Sequence, residues 1–227
     1  MGDEGKLFVS DEVIPAYKTL LRDADLILPN QFELEVLTGI QITSEAELIK
    51  AITVAHKEYL VPHVIVTSVS FDPKSPHISV IGSSRRSGGT PRLFKVNVPS
   101  IDCYFTGPGD MFAALTVVRL REAVLAMGLE NTTCWMPADD VEGPDLPIAK
   151  STEKVLASMH VVLSKTKKAR DEALESMGGP MGVLEKEKDS EKRTLLRKMK
   201  AAEVRLVRNF RDLLEPNVVY KAELLEI

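Results

Sequence analysis

Two glycines, a proline and an aspartate form a short turn ahead of a strongly helical stretch, within residues 105–114. The glycines of Gly107-Pro108-Gly109-Asp110 allow the backbone to turn tightly. The first N–H groups of a helix lack intrahelical acceptors and lie at the positive end of the helix dipole, so such a turn can bind an anion. A phosphate-binding turn beside a carboxylate base predicts phosphoryl transfer, with Asp110 accepting a proton. The alternative is a plain strand-to-helix turn in which Asp110 only interacts with the helix dipole.

Three further groups of acidic, amide and hydroxyl side chains could share one crevice with this turn. They are Asp3, Asn30 with Glu33, and Thr67 with Ser68. Short apolar runs precede the second and third groups and predict buried strands, and ligands of open parallel α/β sheets bind at the carboxyl ends of strands. Each group also has a plainer interpretation: a terminal residue, a helix-capping pair and a strand end, respectively.

The elements that would position these residues alternate between helices and strands. Apolar periodicity and capping residues predict helices over residues 10–22, 30–39, 44–59, 110–127 and 148–175. Short apolar, β-branched or alternating runs predict strands over residues 25–28, 63–67, 77–81, 92–98, 102–105 and 203–207. Residues 83–90 are predicted to form a mobile loop between two antiparallel strands. The early crossovers are long enough for parallel strand pairing, which indicates an α/β fold.

The chain of 227 residues is long enough for one domain with a substantial core. We therefore predict a single domain over residues 1–227. Residues 128–147 are rich in proline and acidic side chains, and residues 176–200 are dense in mixed charge. Both segments are predicted to be surface insertions.

The composition excludes several classes of protein. A formal net charge of -4 gives no electrostatic footprint for nucleic acid. No apolar run approaches the roughly 20 residues that span a bilayer, so no membrane partner is expected. Two cysteines and four histidines show no metal-ligand spacing. This cysteine usage fits a reducing compartment, and the expected location is the cytoplasm.

Four segments resemble the pyridoxal kinases, which belong to the ribokinase-like superfamily. Residues 25–35, Asp-Leu-Ile-Leu-Pro-Asn-Gln-Phe-Glu-Leu-Glu, are similar to the family's Thr-Pro-Asn-Gln-Phe-Glu-Ala-Glu segment. Thr67-Ser68 is similar to its Thr-Ser strand end, and residues 105–114 are similar to its Gly-Thr-Gly-Asp segment. Met1-Gly2-Asp3 is similar to the end of its Asp-Pro-Val-(Leu/Met)-Gly-Asp loop. The resemblance covers roughly residues 1–120 and keeps the family's order and spacing.

The resemblance implies a ribokinase-like α/β/α fold of three layers with a mostly parallel sheet. It also implies transfer of the ATP γ-phosphoryl group to the 5′-hydroxymethyl group of pyridoxal, pyridoxine or pyridoxamine. Asp110 would be the catalytic base. The backbone N–H groups of Gly107, Gly109 and Asp110 would stabilise the transferring phosphoryl group. Phe112 would lie beside the nucleotide, and the enzyme is expected to be a homodimer.

The resemblance also implies a metal and phosphate cluster on the first half of the chain. Asp3 and Glu33 would help to hold Mg²⁺, directly or through water. Asn30 would assist this cluster. Thr67 and Ser68 would contact the ATP phosphates or a monovalent cation.

Three departures from the family pattern change these expectations. Pro108 replaces the usual threonine and has no N–H group, so the turn loses one donor. Leu28 stands where the family has a threonine near the cation site. The family's N-terminal strands, which bind the pyridine ring, would precede Met1, so the resemblance predicts an N-terminally truncated domain. The alternatives are an inactive truncated paralogue that binds nucleotide or a partner chain, and a related hydroxymethylpyrimidine or sugar kinase.

Overall fold

The computed structural model describes residues 2–3, 6–7, 9–177, 196 and 199–226. Two compact units are present. The first comprises Met1–Ser100, Val117–Glu153 and Val219–Ile227, and the second comprises Ile101–Thr116 and Lys154–Val218. The single domain expected from the sequence stays a prediction. The insertion predicted over residues 176–200 lies almost wholly outside the described residues.

Six helices and seven strands are described. The helices are α1 (Ile14–Leu20), α2 (Gln31–Thr38), α3 (Glu45–Lys57), α4 (Pro108–Ala126), α5 (Pro147–Met177) and α6 (Phe210–Leu214). The strands are β1 (Gly2–Asp3), β2 (Lys6–Leu7), β3 (Leu26–Ile27), β4 (His63–Val69), β5 (His77–Arg85), β6 (Pro91–Pro99) and β7 (Glu223–Leu224). Short 3₁₀ turns lie at Asp11–Val13, Leu21–Asp23, Thr133–Trp135, Gly143–Asp145 and Val207–Asn209. No helix within these ranges is both long and apolar enough to pass through a lipid bilayer.

The main sheet belongs to the first unit and has the strand order β3-β4-β5-β6-β7. The β3–β4 pair is parallel, and the other three pairs are antiparallel. Parallel pairing, which was predicted for most of the sheet, is therefore limited to β3 and β4 among the described strands. The connections from β4 to β5 and from β5 to β6 are too short for a crossover, so both join antiparallel neighbours. The sheet is mixed, and its helices and strands together form an α/β fold.

Strands β5 and β6 extend further than their apolar runs predict. The loop predicted over residues 83–90 is shortened to residues 86–90, because Ser83 and Ser84 continue β5. Both serines are fully buried, and their hydroxyl groups hydrogen-bond to the buried rings of His56 and His63. At the tip of the hairpin, the Ser87 N–H group donates to the Asp139 carboxylate at 3.0 Å.

Helices α2 and α3 contact β4 and share a hydrophobic core with the sheet. The buried core includes Leu34, Leu37, Leu48, Ile52, Val64, Val66 and Ile81. Strand β4 is buried on both faces, because Ile65, which points to the opposite face from its neighbours, is also fully buried. Both predicted helix starts are confirmed, since Asn30 caps α2 and Ser44 caps α3. Gly39 ends α2 in the left-handed conformation at φ 72°.

Three predictions of secondary structure are wrong. The strands predicted over residues 102–105 and 203–207 do not form, and one isolated bridge between Thr106 and Glu203 takes their place. The alternating pattern near residue 205 does not bury its apolar side chains, since Val207 is 87% exposed. The helix predicted over residues 10–22 is divided into α1 and a 3₁₀ turn on each side.

Sheet residues hold part of the segment that was predicted to be an insertion over residues 128–147. The Arg92 side chain, 1% exposed, donates to the Ala138 carbonyl oxygen at 2.6 Å and to that of Val141 at 3.3 Å. The His63 ring hydrogen-bonds to the Cys134 carbonyl oxygen at 2.8 Å. A Cβ atom at Gly143 would collide with the backbone of β6. These contacts fix residues 134–143 against the sheet.

Candidate active site

The ends of β3 and β4 bring Asn30 and Thr67 together in the first unit. An isolated parallel bridge joins these two residues, just beyond the β3–β4 ladder. The Thr67 N–H group donates to the Pro29 carbonyl oxygen at 2.9 Å. The carboxyl ends of two neighbouring parallel strands therefore meet at this point, which is where α/β sheets bind their ligands.

A reciprocal capping box fixes Glu33 beside Asn30 at the start of α2. The Asn30 side chain accepts a hydrogen bond from the Glu33 N–H group at 2.8 Å, and a Glu33 carboxylate oxygen accepts one from the Asn30 N–H group at 3.0 Å. The capping interpretation of this pair is thus confirmed. The same bonds hold a carboxylate at the strand-end cluster, where a cation beside a phosphate group would need one.

A bulge in β4 coincides with Thr67 and Ser68. The β4–β5 register shifts between Val66 and Val69, so these two residues leave the regular ladder. Ser68 adopts φ 56°, in the left-handed region that a serine rarely occupies. Bulges and such backbone conformations concentrate near active sites, where they redirect side chains. The bulge makes the half-buried Thr67 and the exposed Ser68 accessible at the sheet end.

Strand β1 brings the backbone of Asp3 close to this cluster. Gly2 and Asp3 pair antiparallel with β2, and β1 contacts α2. Helix α2 carries Glu33, so the two carboxylates expected to bind metal belong to neighbouring elements. The Asp3 side chain lies outside what the structure describes.

The Gly107 turn lies in the second unit and starts α4 as predicted. Gly107 has φ 90°, and the Met111 N–H group makes a helical bond to the Gly107 carbonyl oxygen at 3.2 Å. The N–H groups of Gly109 and Asp110 come before this bond, at the helix N-terminus. Both residues are exposed, together with Gly107. Phe112 is only 4% exposed, so its side chain packs inside the protein. Its expected place beside the nucleotide stays a prediction.

A basic cleft adjoins this turn within the second unit. The Thr106 N–H group donates to the Ala202 carbonyl oxygen at 3.3 Å, and Thr106 forms a bridge with Glu203. A cleft of about 530 Å³ is lined by Lys200, Glu203, Val204, Arg205, Leu206, Val207 and Arg208. Three of these side chains are cationic and one is acidic. None of these cations was a candidate from the sequence, because residues 203–207 were interpreted as an edge strand and Lys200 as part of an insertion. The clustering of Lys200, Arg205 and Arg208 in the sequence was the signal that could have identified this basic cleft.

The buried histidines His56 and His63 have hydrogen-bond partners inside the first unit. His56 hydrogen-bonds to the Val61 carbonyl oxygen at 2.7 Å and to the Ser83 hydroxyl at 2.8 Å. Burial lowers the pKa of His56 to about 4, against a weaker opposing effect of the bond to Val61. Burial also lowers the pKa of His63. Both rings are therefore neutral near physiological pH and serve to join the sheet to its surroundings.

Comparison with known proteins gives this arrangement a family. Residues 1–121 match the family model described as phosphomethylpyrimidine kinase. A candidate pyridoxal kinase of Schizosaccharomyces pombe is 31% identical over an alignment of 227 positions, which covers 99% of this chain and 62% of that protein. The pyridoxal kinase of Dictyostelium discoideum is 38% identical over an alignment of 120 positions, which covers 51% of this chain and 39% of that protein.

Solved structures agree on the fold. The pyridoxal kinase of Leishmania donovani in complex with ADP and pyridoxamine has a TM-score of 0.68 and 23% identity, over 100% of this chain and 60% of that chain. The ribokinase-like α/β fold is thus confirmed. The chain spans less than two thirds of the length of each of these relatives. The family match covers more than half of its residues, and the chain belongs to the phosphomethylpyrimidine kinase family of the ribokinase-like superfamily, where the relatives that it resembles are pyridoxal kinases.

Proposed function

We propose that this chain carries the nucleotide-binding and catalytic part of a pyridoxal kinase. The reaction transfers the γ-phosphoryl group of ATP to the 5′-hydroxymethyl group of pyridoxal, pyridoxine or pyridoxamine. The observation that supports it most is the cluster of Asn30, Glu33 and Thr67 at the ends of β3 and β4. ADP and pyridoxamine are bound in the similar Leishmania donovani kinase.

In this proposal Asp110 is the catalytic base. Its exposed position in the first turn of α4 would let the carboxylate accept the proton of the attacking hydroxyl group. The N–H groups of Gly109 and Asp110 would stabilise the charge on the transferring phosphoryl group, and Gly107 would give the turn its left-handed geometry. Phe112, a buried residue of α4, would pack the turn beside the nucleotide.

Glu33 and Asp3 would hold Mg²⁺, and Asn30 would keep Glu33 in place. Among the described residues, no group of three or more His, Cys, Asp or Glu side chains is arranged to hold a metal ion. A magnesium site in a kinase does not need one, because one or two carboxylates and the phosphate oxygens are usually enough. The Thr67–Ser68 bulge, half-buried at Thr67 and exposed at Ser68, would contact the ATP phosphates or a monovalent cation. Mg²⁺ would neutralise the charge that develops between the β- and γ-phosphates.

Two other functions have a specific observation in their favour. The matching family model is named for phosphomethylpyrimidine kinase, which favours a hydroxymethylpyrimidine as the acceptor. Pro108 removes a donor from the anion-binding turn, which favours an inactive paralogue that still binds nucleotide. Both are separated from the main proposal by an ATP-dependent assay with each acceptor, combined with a measurement of ATP binding.

The sharpest test of the proposal is Asp110→Asn. We expect phosphoryl transfer to pyridoxal to fall by about 10²-fold or more, because the base is lost. The affinity for ATP, measured by calorimetry, should stay within about twofold, because the amide keeps the shape of the turn. The control is Asp102→Asn, which changes another exposed aspartate ahead of the same turn. Unchanged phosphoryl transfer in Asp110→Asn would exclude Asp110 as the base. If the unaltered chain binds ATP but transfers phosphate to no acceptor, the result would favour the inactive paralogue.

The proposal includes a homodimer in the cytoplasm that binds neither nucleic acid nor membranes. Sedimentation of the purified chain would test the dimer. Cell fractionation would test the location.

A further inference from the structure

Two side chains of α2 hold both backbone polar groups of Ile42. The Gln31 amide donates to the Ile42 carbonyl oxygen at 2.8 Å. A Glu35 carboxylate oxygen accepts from the Ile42 N–H group, also at 2.8 Å. Gln31 and Glu35 are four residues apart, so they lie on the same face of the helix. We call this pair, together with Ile42, the α2 clamp.

Ile42 is a firm anchor for this clamp. Its side chain is only 2% exposed and belongs to the core that contains Leu34 and Leu37. The next residue, Thr43, is tied to α3, because its N–H group and its hydroxyl group both donate to the Glu47 carboxylate, at 2.7 and 2.6 Å. The connection between α2 and α3 is thus fixed at Ile42 and Thr43, through hydrogen bonds to side chains of both helices.

The clamp and the strand-end cluster occupy different faces of one short helix. Glu33 lies about 200° around the helix axis from Gln31, at 100° per residue. Helix α2 has only eight residues. A rotation of the helix would therefore move Glu33 away from Asn30 and Thr67, and the α2 clamp opposes that rotation.

We propose that Gln31 and Glu35 are positioning residues that set the location of Glu33 for binding of the metal–nucleotide complex. The inference rests on the proposed function for the role of Glu33, but the clamp stands on its own geometry. That geometry makes opposite demands at the two positions. Residue 31 must donate to a carbonyl oxygen, and residue 35 must accept from an N–H group.

These demands predict an unequal response to two isosteric exchanges. Gln31→Glu removes the donor and places a carboxylate against a carbonyl oxygen, so it breaks the clamp. Glu35→Gln keeps a carbonyl oxygen that can accept from Ile42, so it preserves the clamp. Glu35→Leu removes the acceptor altogether. Gln41→Glu, at an exposed position beside Ile42, is the matched control for the added charge.

The first measurement is nucleotide affinity of the full 227-residue chain by calorimetry, with and without Mg²⁺. We expect Gln31→Glu and Glu35→Leu to weaken binding of Mg²⁺–ATP about tenfold or more, while binding of ATP without Mg²⁺ changes less than about threefold. Glu35→Gln and Gln41→Glu should stay within about twofold of the parent chain. Equal losses with and without Mg²⁺ would overturn the positioning role, since general destabilisation predicts that result.

The second measurement is hydrogen exchange at the backbone N–H groups of Ile42 and Glu33. Breaking the clamp should accelerate exchange at both positions, because the Glu33 N–H group depends on the capping box at the far face. Acceleration at Ile42 alone would overturn the proposal. Hydrogen exchange does not require nucleotide binding, so it tests whether the α2 clamp positions Glu33 even if the parent chain binds no ATP. Failure of the parent chain to bind ATP would refute the proposed function and not the clamp.

Discussion

Pro108 occupies the first position of α4, where a missing N–H group does not disturb the helix. The same substitution removes a donor from the turn that would bind phosphate. The residue type alone reveals this deficit, and in the structure Pro108 directly precedes the N–H groups of Gly109 and Asp110 at the start of α4. The turn is therefore expected to bind phosphate more weakly than one with a complete set of N–H groups.

Restoring the donor at position 108 should strengthen nucleotide binding. A hydrogen bond to a charged group contributes about 1.5–3 kcal/mol, so we expect Pro108→Ala to tighten ATP binding by about tenfold or more. Pro108→Thr adds a hydroxyl group and should tighten it at least as much. Calorimetric titration with ATP measures both. Pro15→Ala is the control, because Pro15 also lies in the first turn of a helix, α1. No gain in either Pro108 variant would show that the lost donor does not face the phosphate.

His56 should make the stability of the protein depend on pH in the acid range. Its pKa is about 4 in the folded protein and 6.5 when unperturbed, mainly because the ring is buried. The unfolded chain therefore binds a proton that the folded protein excludes. The stabilisation is complete above pH 6.5 and is lost as the pH falls toward 4.

The expected size of this effect is about 1 kcal/mol between about pH 7.5 and about pH 5.5. Urea unfolding at the two pH values gives the free energy of unfolding. His56→Gln keeps hydrogen-bonding groups for Val61 and Ser83 but cannot titrate, so its free energy should change less over this range. An identical pH dependence in the variant would contradict the assignment to His56. His63 contributes in the same direction in both proteins, since burial lowers its pKa too.

Local sequence signals were sufficient for some residues of the site and insufficient for others. The capping box of Asn30 and Glu33 was predictable, because its partners are three residues apart. The partner of Gln31 and Glu35 is the backbone of Ile42, and no local pattern identifies such a contact. The left-handed conformation of Ser68 was also unpredictable, since it results from the register shift between β4 and β5 and not from the residue type.

The close approach of one turn to β6 illustrates how elements are fixed in the first unit. The turn Gly143–Asp145 lies so near β6 that a Cβ atom at Gly143 would collide with the Leu93 carbonyl group. Only glycine fits at this position. The glycines and prolines of residues 128–147 predicted a surface insertion, but composition alone does not reveal which backbone a glycine approaches.

Gly143→Ala should destabilise the protein by about 1–3 kcal/mol, since the backbone of the turn or of β6 must move. The control is Gly88→Ala, at the tip of the β5–β6 hairpin, where a Cβ atom meets open space and φ is not positive. Urea unfolding of both variants measures the difference. Equal stability of the two would mean that the turn relaxes without cost.

Elements with strong local patterns were predicted well, and those that depend on tertiary pairing were not. The helices α2, α3, α4 and α5 and the strands β4, β5 and β6 follow their apolar periodicity and caps to within a few residues. The strand expected over residues 203–207 did not form, because among the described residues its only pairing partner is Thr106, through one isolated bridge to Glu203. Strand β7 was not predicted, because two residues are too few to show a repeat, whereas the equally short β3 was predicted from the longer apolar run that contains it.

The first unit draws its parts from distant stretches of the chain. Arg92 and His63 lie within the segment that matches the family model, residues 1–121. Most of the Arg92 acceptors, including Ala138 and Val141, follow that segment, and so does Cys134, which bonds to His63. Within the matching segment Arg92 keeps only the Arg85 carbonyl oxygen, at 3.4 Å, so this segment lacks most of the acceptors that its buried guanidinium group uses.

A fragment of residues 1–121 should therefore fail to unfold cooperatively, whereas the 227-residue chain should do so. Circular dichroism during urea titration tests both. Arg92→Met in the fragment should recover part of the lost cooperativity, because it removes the buried charge. A fragment with a sharp transition at the midpoint of the full chain would refute the dependence.

Residues with a proposed chemical role and residues that hold the fold lie within the same six positions, 30–35. Asn30 and Glu33 belong to the first group, and Gln31 and Glu35, which alternate with them, belong to the second. In a descendant that has stopped transferring phosphoryl groups, selection on metal binding would lapse. Other capping pairs could then replace Asn30 and Glu33 without harm to the helix. Gln31 and Glu35 would persist, since the connection from α2 to α3 still depends on them. Variation at positions 30 and 33 with retention at 31 and 35 would thus mark lost catalysis in an intact fold.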